Sequence, residues 1–158
     1  MDLRLSTKAE YGLKAMIDLA AQSSAKPVQV IDVARRQSIP RESLAVLMVG
    51  LRRAGLVTSV RGPSGGYLLA KSPDQISLRE IIEALEGSLE RQHQQKRSRH
   101  WVTVAIQDTW NDCLKTLLDS LEQTSLESLV KQQTSSRSAQ SAEGKSLSGP
   151  PDGYAFSI

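Results

Sequence analysis

Hydrophobic residues recur at helical spacing through most of the first half of the chain. Near the N-terminus this pattern follows Thr7 and Glu10, whose spacing is that of a capping box, in which two side chains bind the free N–H groups of a helix start. The pattern predicts a first helix that ends before the break at Lys26 and Pro27. The residues that it turns towards a core are Ala9, Leu13, Met16, Ile17 and Ala20.

Two further helices follow with a short break between them. The sequence "VQVIDVARRQS" predicts a second helix with Val33 and Ala34 inward and Arg35 and Arg36 outward. After "SIP" a third helix is expected over residues 41–54, with Gly55 at the usual place of a left-handed helix stop. Two helices separated by so short a break form a helix-turn-helix candidate.

A hairpin is predicted directly behind this helix pair. The β-prone segments "LVTSV" and "GYLLA" are joined by "RGPSGG", a glycine-rich connection. A phosphate-binding loop of the Walker type is rejected, because its glycines run through Gly-Lys-Ser/Thr into a helix, whereas these run into a strand. A helix-turn-helix followed by a hairpin is the plan of a winged helix, with the wing at residues 57–70.

The C-terminal half is predicted to be helical and to end in a disordered tail. Ser77 and Glu80 have capping-box spacing and open a fourth helix that stops at Gly87, and residues 88–99 are polar and predicted to form a flexible loop. A long helix over about 100–122 carries an apolar stripe with near-heptad spacing, and Thr124 begins a further short helix. The stripe comprises Ile106, Trp110, Cys113, Leu114, Leu117, Leu118 and Leu121. The expected organisation is a winged-helix domain at 1–87, the loop, dimerisation helices at 100–132 and a disordered segment at 133–158.

Charge and composition restrict the possible partners. The chain of 158 residues carries a formal net charge of +3, but residues 26–61 alone carry +5, so the positive field is concentrated on the predicted helix-turn-helix and wing. The single cysteine, Cys113, excludes an intramolecular disulfide. Neither a membrane-length apolar stretch nor a signal-peptide pattern is present, which predicts a cytoplasmic protein that does not bind membranes.

Several stretches together resemble a known family. "LSTKAEYGLKAMIDLA", "LRRAGLV" with "SVRGPSGGY", and "TWNDCLKTLLDSLEQTSLESLV" are similar to the bacterial Rrf2 family over residues 1–132. This family of winged-helix transcriptional regulators includes an iron–sulfur cluster regulator and a cysteine-metabolism repressor. The resemblance implies a mainly α fold with a small β-hairpin, a homodimer formed through the long C-terminal helix, a pseudo-palindromic operator in double-stranded DNA, and a location at the bacterial nucleoid.

The residues expected at the DNA are on three elements. The N-terminal turn of a recognition helix enters the major groove, so the candidates for base contacts are Arg41, Glu42, Ser43 and Val46. Arg61 at the wing suits a minor groove, and Gly62 beside it lets the backbone approach a phosphate closely. Arg52 and Arg53 add basic contacts at the end of the recognition helix. The resemblance further implies that Lys8 and Tyr11 approach the DNA backbone. Pro40 departs from the small hydroxylated residue often found there in the family, which puts the helix cap in question.

The sequence lacks the ligands of a cofactor that many members of the family hold. Those members carry three cysteines between the wing-side helix and the dimer helix, and these bind an iron–sulfur cluster, whereas residues 88–106 contain none. Cys113 is expected to be a buried hydrophobic residue, and His93 and His100 to be solvated rather than metal ligands. No cofactor is therefore predicted, and a protein or a small molecule is the expected effector.

Two other classes of function were compared with DNA binding. A winged-helix module that regulates through a protein partner remains an alternative, with the C-terminal "YAFSI" as a docking segment. An enzyme with Cys113 as its nucleophile is rejected, since that residue falls on an apolar helix stripe rather than beside a histidine in a cleft.

Overall fold

The computed structural model describes residues 5–22, 26–89 and 101–143 of the chain. In these ranges it contains six α-helices, one short 3-10 helix and one two-stranded antiparallel hairpin. The elements in chain order are α1 (Thr7–Ala21), α2 (Val30–Gln37), α3 (Arg41–Arg53), β1 (Val57–Val60), β2 (Gly66–Leu69), the 3-10 helix (Pro73–Gln75), α4 (Leu78–Glu86), α5 (Trp101–Gln123) and α6 (Leu126–Glu143). The predicted fold class, a winged helix-turn-helix with a long C-terminal helix, is confirmed.

The core lies where α1, α3 and α4 meet. Met16 of α1, Leu44 and Leu51 of α3 and Ile81 of α4 are fully buried there. Gly12 lets α4 approach α1 closely, because a Cβ at this position would lie 2.1 Å from the Leu85 Cδ1 atom. The helical periodicity predicted the core residues of α1 correctly, apart from Ile17, which is only half-buried.

Two of the three predicted capping residues are displaced by one position. The cap of α1 is Ser6 rather than Thr7, and its hydroxyl accepts from the Ala9 N–H at 3.0 Å. Ser125 rather than Thr124 accepts from the N–H at the start of α6. In both places two hydroxyl residues are adjacent in sequence, so spacing alone does not select the capping one. The capping box of Ser77 and Glu80 is present as predicted.

The C-terminal helix is longer than predicted. The sequence indicated disorder from residue 133, but α6 continues to Glu143, so that prediction is wrong for residues 133–143. The serines and glutamines of this stretch are polar but do not break a helix, and the next glycine is Gly144. Residues 144–158 and most of the predicted loop at 88–99 lie outside the described residues.

A short backbone pairing joins the end of α5 to the winged-helix domain. The Leu78 N–H donates to the Thr124 carbonyl and the Leu126 N–H donates to the Ile76 carbonyl, both at 2.8 Å. Leu126 is fully buried in the main core. The turn between α5 and α6 is therefore fixed to the start of α4, and α5 extends from this anchor.

The apolar stripe of α5 is divided between two environments. Leu114, Leu118 and Leu121 are half-buried in a helix that packs against α4. On the other flank Ile106 is 65% exposed and Leu117 is 51% exposed. Cys113 is also exposed in the single chain, which corrects the prediction that it is buried; it lines a shallow apolar groove with Ile106 and Trp110. The flank of Val102, Ile106, Trp110, Cys113 and Leu117, here called the open face of α5, is thus uncovered within one chain.

Candidate nucleic-acid interface

The recognition helix α3 presents its N-terminal turns to solvent. Ser38, in the left-handed conformation with φ 53°, ends α2, and the buried Ile39 anchors the turn that leads to α3. Pro40 occupies the cap position and makes no side-chain hydrogen bond, but its carbonyl accepts from the Leu44 N–H at 3.0 Å. The predicted base-contact residues Arg41, Glu42, Ser43 and Val46 are all exposed, and Val46 is 71% exposed.

A buried carboxylate holds α2 against α1. Asp18 is only 4% exposed, and its carboxylate accepts three hydrogen bonds from the Arg36 guanidinium, the shortest at 2.6 Å, and one from the Gln37 amide at 2.9 Å. The hydrogen bond to Asp18 raises the pKa of Arg36 despite its partial burial. Arg36 lies on the exposed side of α2, as predicted, but the sequence did not show that its guanidinium is the partner of Asp18, a buried carboxylate that needs one inside the fold.

The wing is braced from two sides. Antiparallel pairing joins Val57 to Leu69 and Val60 to Gly66, as the sequence predicted for a hairpin. The Arg52 guanidinium at the end of α3 donates to the Ser59 hydroxyl at 3.3 Å, and the Gln29 amide donates to the Pro63 carbonyl at 3.3 Å. These bonds fix the position of the wing relative to both helices of the helix-turn-helix.

A third strand segment supports the wing, and sequence reasoning missed it. Val28, just before α2, exchanges two backbone hydrogen bonds with Tyr67, at 2.8 and 2.9 Å. Gly66 permits this approach, because a Cβ there would lie 2.3 Å from the Val28 carbonyl oxygen. A single paired residue leaves no alternating strand pattern in the sequence. The only sequence signal for this pairing is that Pro27 is followed by a valine.

Exposed arginines stand at both ends of α3 and at the tip of the wing. Arg41 stands at the start of α3, Arg53 at its end and Arg61 at the wing tip, and all three are exposed. Gly62, next to Arg61, has φ 114°, a conformation that glycine adopts readily. The predicted wing residues therefore lie at the hairpin tip, as expected.

The two residues assigned to the first helix have partners inside the chain. The Lys8 ammonium donates to the Leu85 carbonyl at the end of α4. Tyr11 is half-buried against the core, and the Lys14 Nζ atom lies 5.9 Å from the centre of its ring. The predicted contact of Lys8 with a phosphate therefore competes with a hydrogen bond that the protein already makes.

The donor set of this chain does not fit an iron–sulfur cluster. Such clusters are held by several converging thiolate or imidazole ligands, and the chain contains one cysteine and two histidines in all. Among the described residues, no cluster of three or more histidine, cysteine or acidic side chains could hold a metal ion. His93 and His100 lie outside those residues. Within the same ranges, no helix is long and apolar enough to cross a membrane.

The helix-turn-helix, its braced wing and the long C-terminal helix define a winged-helix protein of the type that regulates transcription. The model of the Rrf2 family, described as iron-dependent transcriptional regulators, matches residues 5–132. The chain therefore belongs to the Rrf2 family, and it is a transcriptional regulator rather than an enzyme.

Similar proteins support this assignment along most of the chain. The HTH-type transcriptional regulator slr0846 of Synechocystis sp. PCC 6803 is 40% identical over 149 residues, which cover 92% of this chain and 97% of the relative. The solved structure of IscR from T. potens has a TM-score of 0.68 and 37% identity, and covers 84% of this chain and 89% of its own. CymR, the global cysteine regulator of B. subtilis, has a TM-score of 0.63 and 32% identity, with coverages of 82% and 98%.

Proposed function

We propose that this regulator binds a pseudo-palindromic DNA operator as a homodimer, with α3 in the major groove and the wing at the minor groove of each half-site. The observation that carries the proposal is that the wing is held next to the helix-turn-helix. The Arg52–Ser59 hydrogen bond joins it to α3, and the Val28–Tyr67 backbone pairing joins it to the segment before α2. Because the wing is held in place, the exposed face of α3 and Arg61 at the wing tip can enter adjacent grooves of one duplex.

The contacts divide into base readout and positioning. Arg41, Glu42, Ser43 and Val46 face the base edges from the exposed N-terminal turns of α3. Arg61 enters the minor groove, where the neighbouring glycine allows a close backbone approach. The positioning contacts to phosphates come from Lys8, Tyr11, Arg52, Arg53 and Gly62, and carry no sequence information.

The open face of α5 supplies the dimer interface. A helix anchored at its C-terminal end and uncovered along an apolar flank needs a partner surface, and a second copy of the same helix offers a matching one. The interface comprises Ile106, Trp110, Cys113, Leu114, Leu117 and Leu121. Leu114 and Leu121, half-buried against the winged-helix side, contribute at its edge.

This regulator acts without an iron–sulfur cluster, since each subunit brings only one thiol. Its activity is set by a protein partner, a small ligand or its own abundance. Acting on the chromosome, it works in the cytoplasm of a bacterial cell.

Genome-wide mapping of bound sites in the native bacterium, followed by footprinting with purified protein, tests the proposal. We expect two protected half-sites related by a two-fold axis and separated by about one helical turn, or a multiple of it. The logarithm of the dissociation constant should rise with the logarithm of salt concentration by about 0.9 per phosphate contact. Arg53→Gln should reduce this slope by about one unit, whereas Lys131→Gln, a charge change on the distant α6, should leave it unchanged. Salt-independent binding, or protection of a single unpaired site, would contradict the proposal.

A further inference from the structure

The solvent face of α3 has an unusual composition in its middle. Glu42, Val46, Val49 and Arg53 recur at helical spacing on the side away from the core, with Ala45 beside Val46. The charged residues stand at the two ends of this face, and the three residues between them are aliphatic. Ala45 and Val46 are exposed and Val49 is half-buried. We call Ala45, Val46 and Val49 the aliphatic patch of α3.

Packing within the chain does not account for the aliphatic patch. The core side of α3 is formed by Leu44, Leu47, Met48 and Leu51, all buried. Val46 leaves 71% of its surface in water, and a β-branched residue also lowers the helix propensity of an exposed position. A polar residue would serve the isolated fold better, so the patch is suited to a partner.

The charges around the patch indicate a polyanion rather than an apolar protein surface. Arg41 and Arg53 at the two ends of α3 and Arg61 at the wing tip are exposed, and Glu42 is the acidic residue on the solvent face of α3. A protein partner that covered the patch would have to bury or pair these guanidinium groups, whereas a DNA duplex offers phosphates to all of them while its groove receives the helix.

Aliphatic side chains can read only one feature of the major groove. They neither donate nor accept hydrogen bonds, and the one apolar group among the base edges there is the C5-methyl group of thymine. We propose that Ala45 and Val46 read thymine methyl groups, so that each half-site of the operator carries thymine beneath the second turn of α3. This rests on the proposed function. Ala45 and Val46 are adjacent and lie about 1.5 Å apart along the helix axis, less than one base-pair step of about 3.4 Å, so the reading is confined to one or two adjacent base pairs.

The test removes single methyl groups from the DNA and from the protein. A random double-stranded DNA library is first selected with the full-length protein to obtain its preferred site. Each thymine of that site is then replaced by deoxyuridine, which keeps base pairing and removes only the methyl group. We expect one or two thymines in each half-site at which the replacement weakens binding about fourfold, the effect of losing one buried methyl group. In Val46→Ala this loss should vanish at the thymine that Val46 contacts.

Leu5→Ala is the matched control, because Leu5 is 53% exposed outside both the helix-turn-helix and the wing. It should keep the wild-type pattern of deoxyuridine effects. Equal affinity for every deoxyuridine duplex, or the same pattern in Val46→Ala, would overturn the inference while leaving operator binding intact. Failure of the library to enrich any site would overturn the proposed function and this inference together. Loss of a protein partner from Val46→Ala with an unchanged deoxyuridine pattern would assign the patch to protein docking instead.

Discussion

A single buried polar residue, Asp18, holds the helix-turn-helix against α1. Asp18 lies in the last turn of α1 on an otherwise apolar buried face, and its carboxylate accepts four hydrogen bonds from Arg36 and Gln37 at the end of α2, directly before the turn into α3. The sequence showed an aspartate among apolar residues but not its partner, because that partner is on another helix. Helical periodicity predicts which residues of a helix are buried, but it does not predict which side chains on different helices pair.

Arg36→Gln should therefore destabilise the protein strongly. It leaves the Asp18 carboxylate buried with a weaker partner, and we expect a loss of about 2 kcal/mol in the free energy of unfolding, less than for a fully buried ion pair because the Arg36 side chain is 38% exposed. Urea denaturation measures this change. The matched control is Arg35→Gln, one residue earlier and exposed, which should alter stability by less than about 0.5 kcal/mol. Equal effects of the two variants would refute the structural role of Arg36.

Arg61 is a second single residue with a testable role, and its effect is on DNA binding rather than on stability. Arg61→Ala should weaken operator binding by about 1–3 kcal/mol and leave the unfolding free energy unchanged, because the side chain is exposed at the wing tip. Lys8→Ala should weaken operator and random DNA about equally and also lower stability, since Lys8 binds the end of α4. Fluorescence anisotropy with both DNAs distinguishes the two variants. Unchanged operator affinity for Arg61→Ala would remove the wing from the mechanism.

At the scale of elements, the helices, the hairpin and their order could be predicted from sequence, whereas their fine boundaries and short pairings could not. The periodicity of α3 and the glycines of the wing are strong local signals. The cap of α1 moved from Thr7 to Ser6 because two adjacent hydroxyl groups compete for one position. The pairing of Val28 with Tyr67 was missed because it joins residues far apart in sequence.

The capping box of α4 makes stability depend on pH. Burial raises the pKa of Glu80, but the hydrogen bonds from Lys71 and from the Ser77 N–H outweigh it, so the net pKa is lowered from 4.5. A lowered pKa in the folded state contributes stability above the unfolded value and loses it as the pH falls through the folded value. Glu80→Gln should therefore be less stable than wild type at neutral pH, and the difference should shrink below about pH 4.5.

Denaturation across this pH range measures the difference. In a Lys71→Met background the effect of Glu80→Gln at neutral pH should be smaller, because the charged partner is already absent. A difference between wild type and Glu80→Gln that does not change with pH would contradict the assignment.

Replacement by alanine should have opposite effects at two glycines, one in α3 and one in the wing. Gly66→Ala places a Cβ 2.3 Å from the Val28 carbonyl oxygen, so it should break the third strand segment and weaken operator binding about tenfold or more. Gly50→Ala meets only the Ala84 carbonyl oxygen at 3.9 Å and should stabilise α3 by about 0.5–1 kcal/mol. Thermal unfolding and DNA titration of both variants check this pair. Wild-type affinity in Gly66→Ala would show that the wing does not depend on Val28.

At the scale of the whole molecule, the sequence indicated an apolar stripe on a long helix but not how the single chain divides it. Half-burial of Leu114, Leu118 and Leu121 accounts for one flank, and the open face of α5 accounts for the other. Helical spacing alone does not show which flank of α5 is covered, because that depends on its tertiary contacts with α4. The extension of α6 to Glu143 was equally hidden, since polar residues are compatible with both helix and disorder.

The dimer should depend mainly on the open face of α5. Ile106→Glu combined with Leu117→Glu places two charges on it and should yield monomers, because each side chain is at least half exposed in one chain and buried at the proposed interface. Asn111→Glu with Lys115→Glu changes two exposed positions on the opposite side of the helix and should remain dimeric. Sedimentation velocity reads both outcomes. A dimer that persists in the first variant would place the interface elsewhere.

The most direct test of the whole account is the composition of the complex between metal-free protein and its selected operator. Sedimentation equilibrium at physiological salt, with iron and acid-labile sulfide measured on the same sample, gives chains per duplex and cluster content together. The account predicts two chains on each operator, no stoichiometric iron and tight, salt-sensitive binding. One chain per operator, or binding that occurs only after an iron–sulfur cluster has been assembled on the protein, would contradict it.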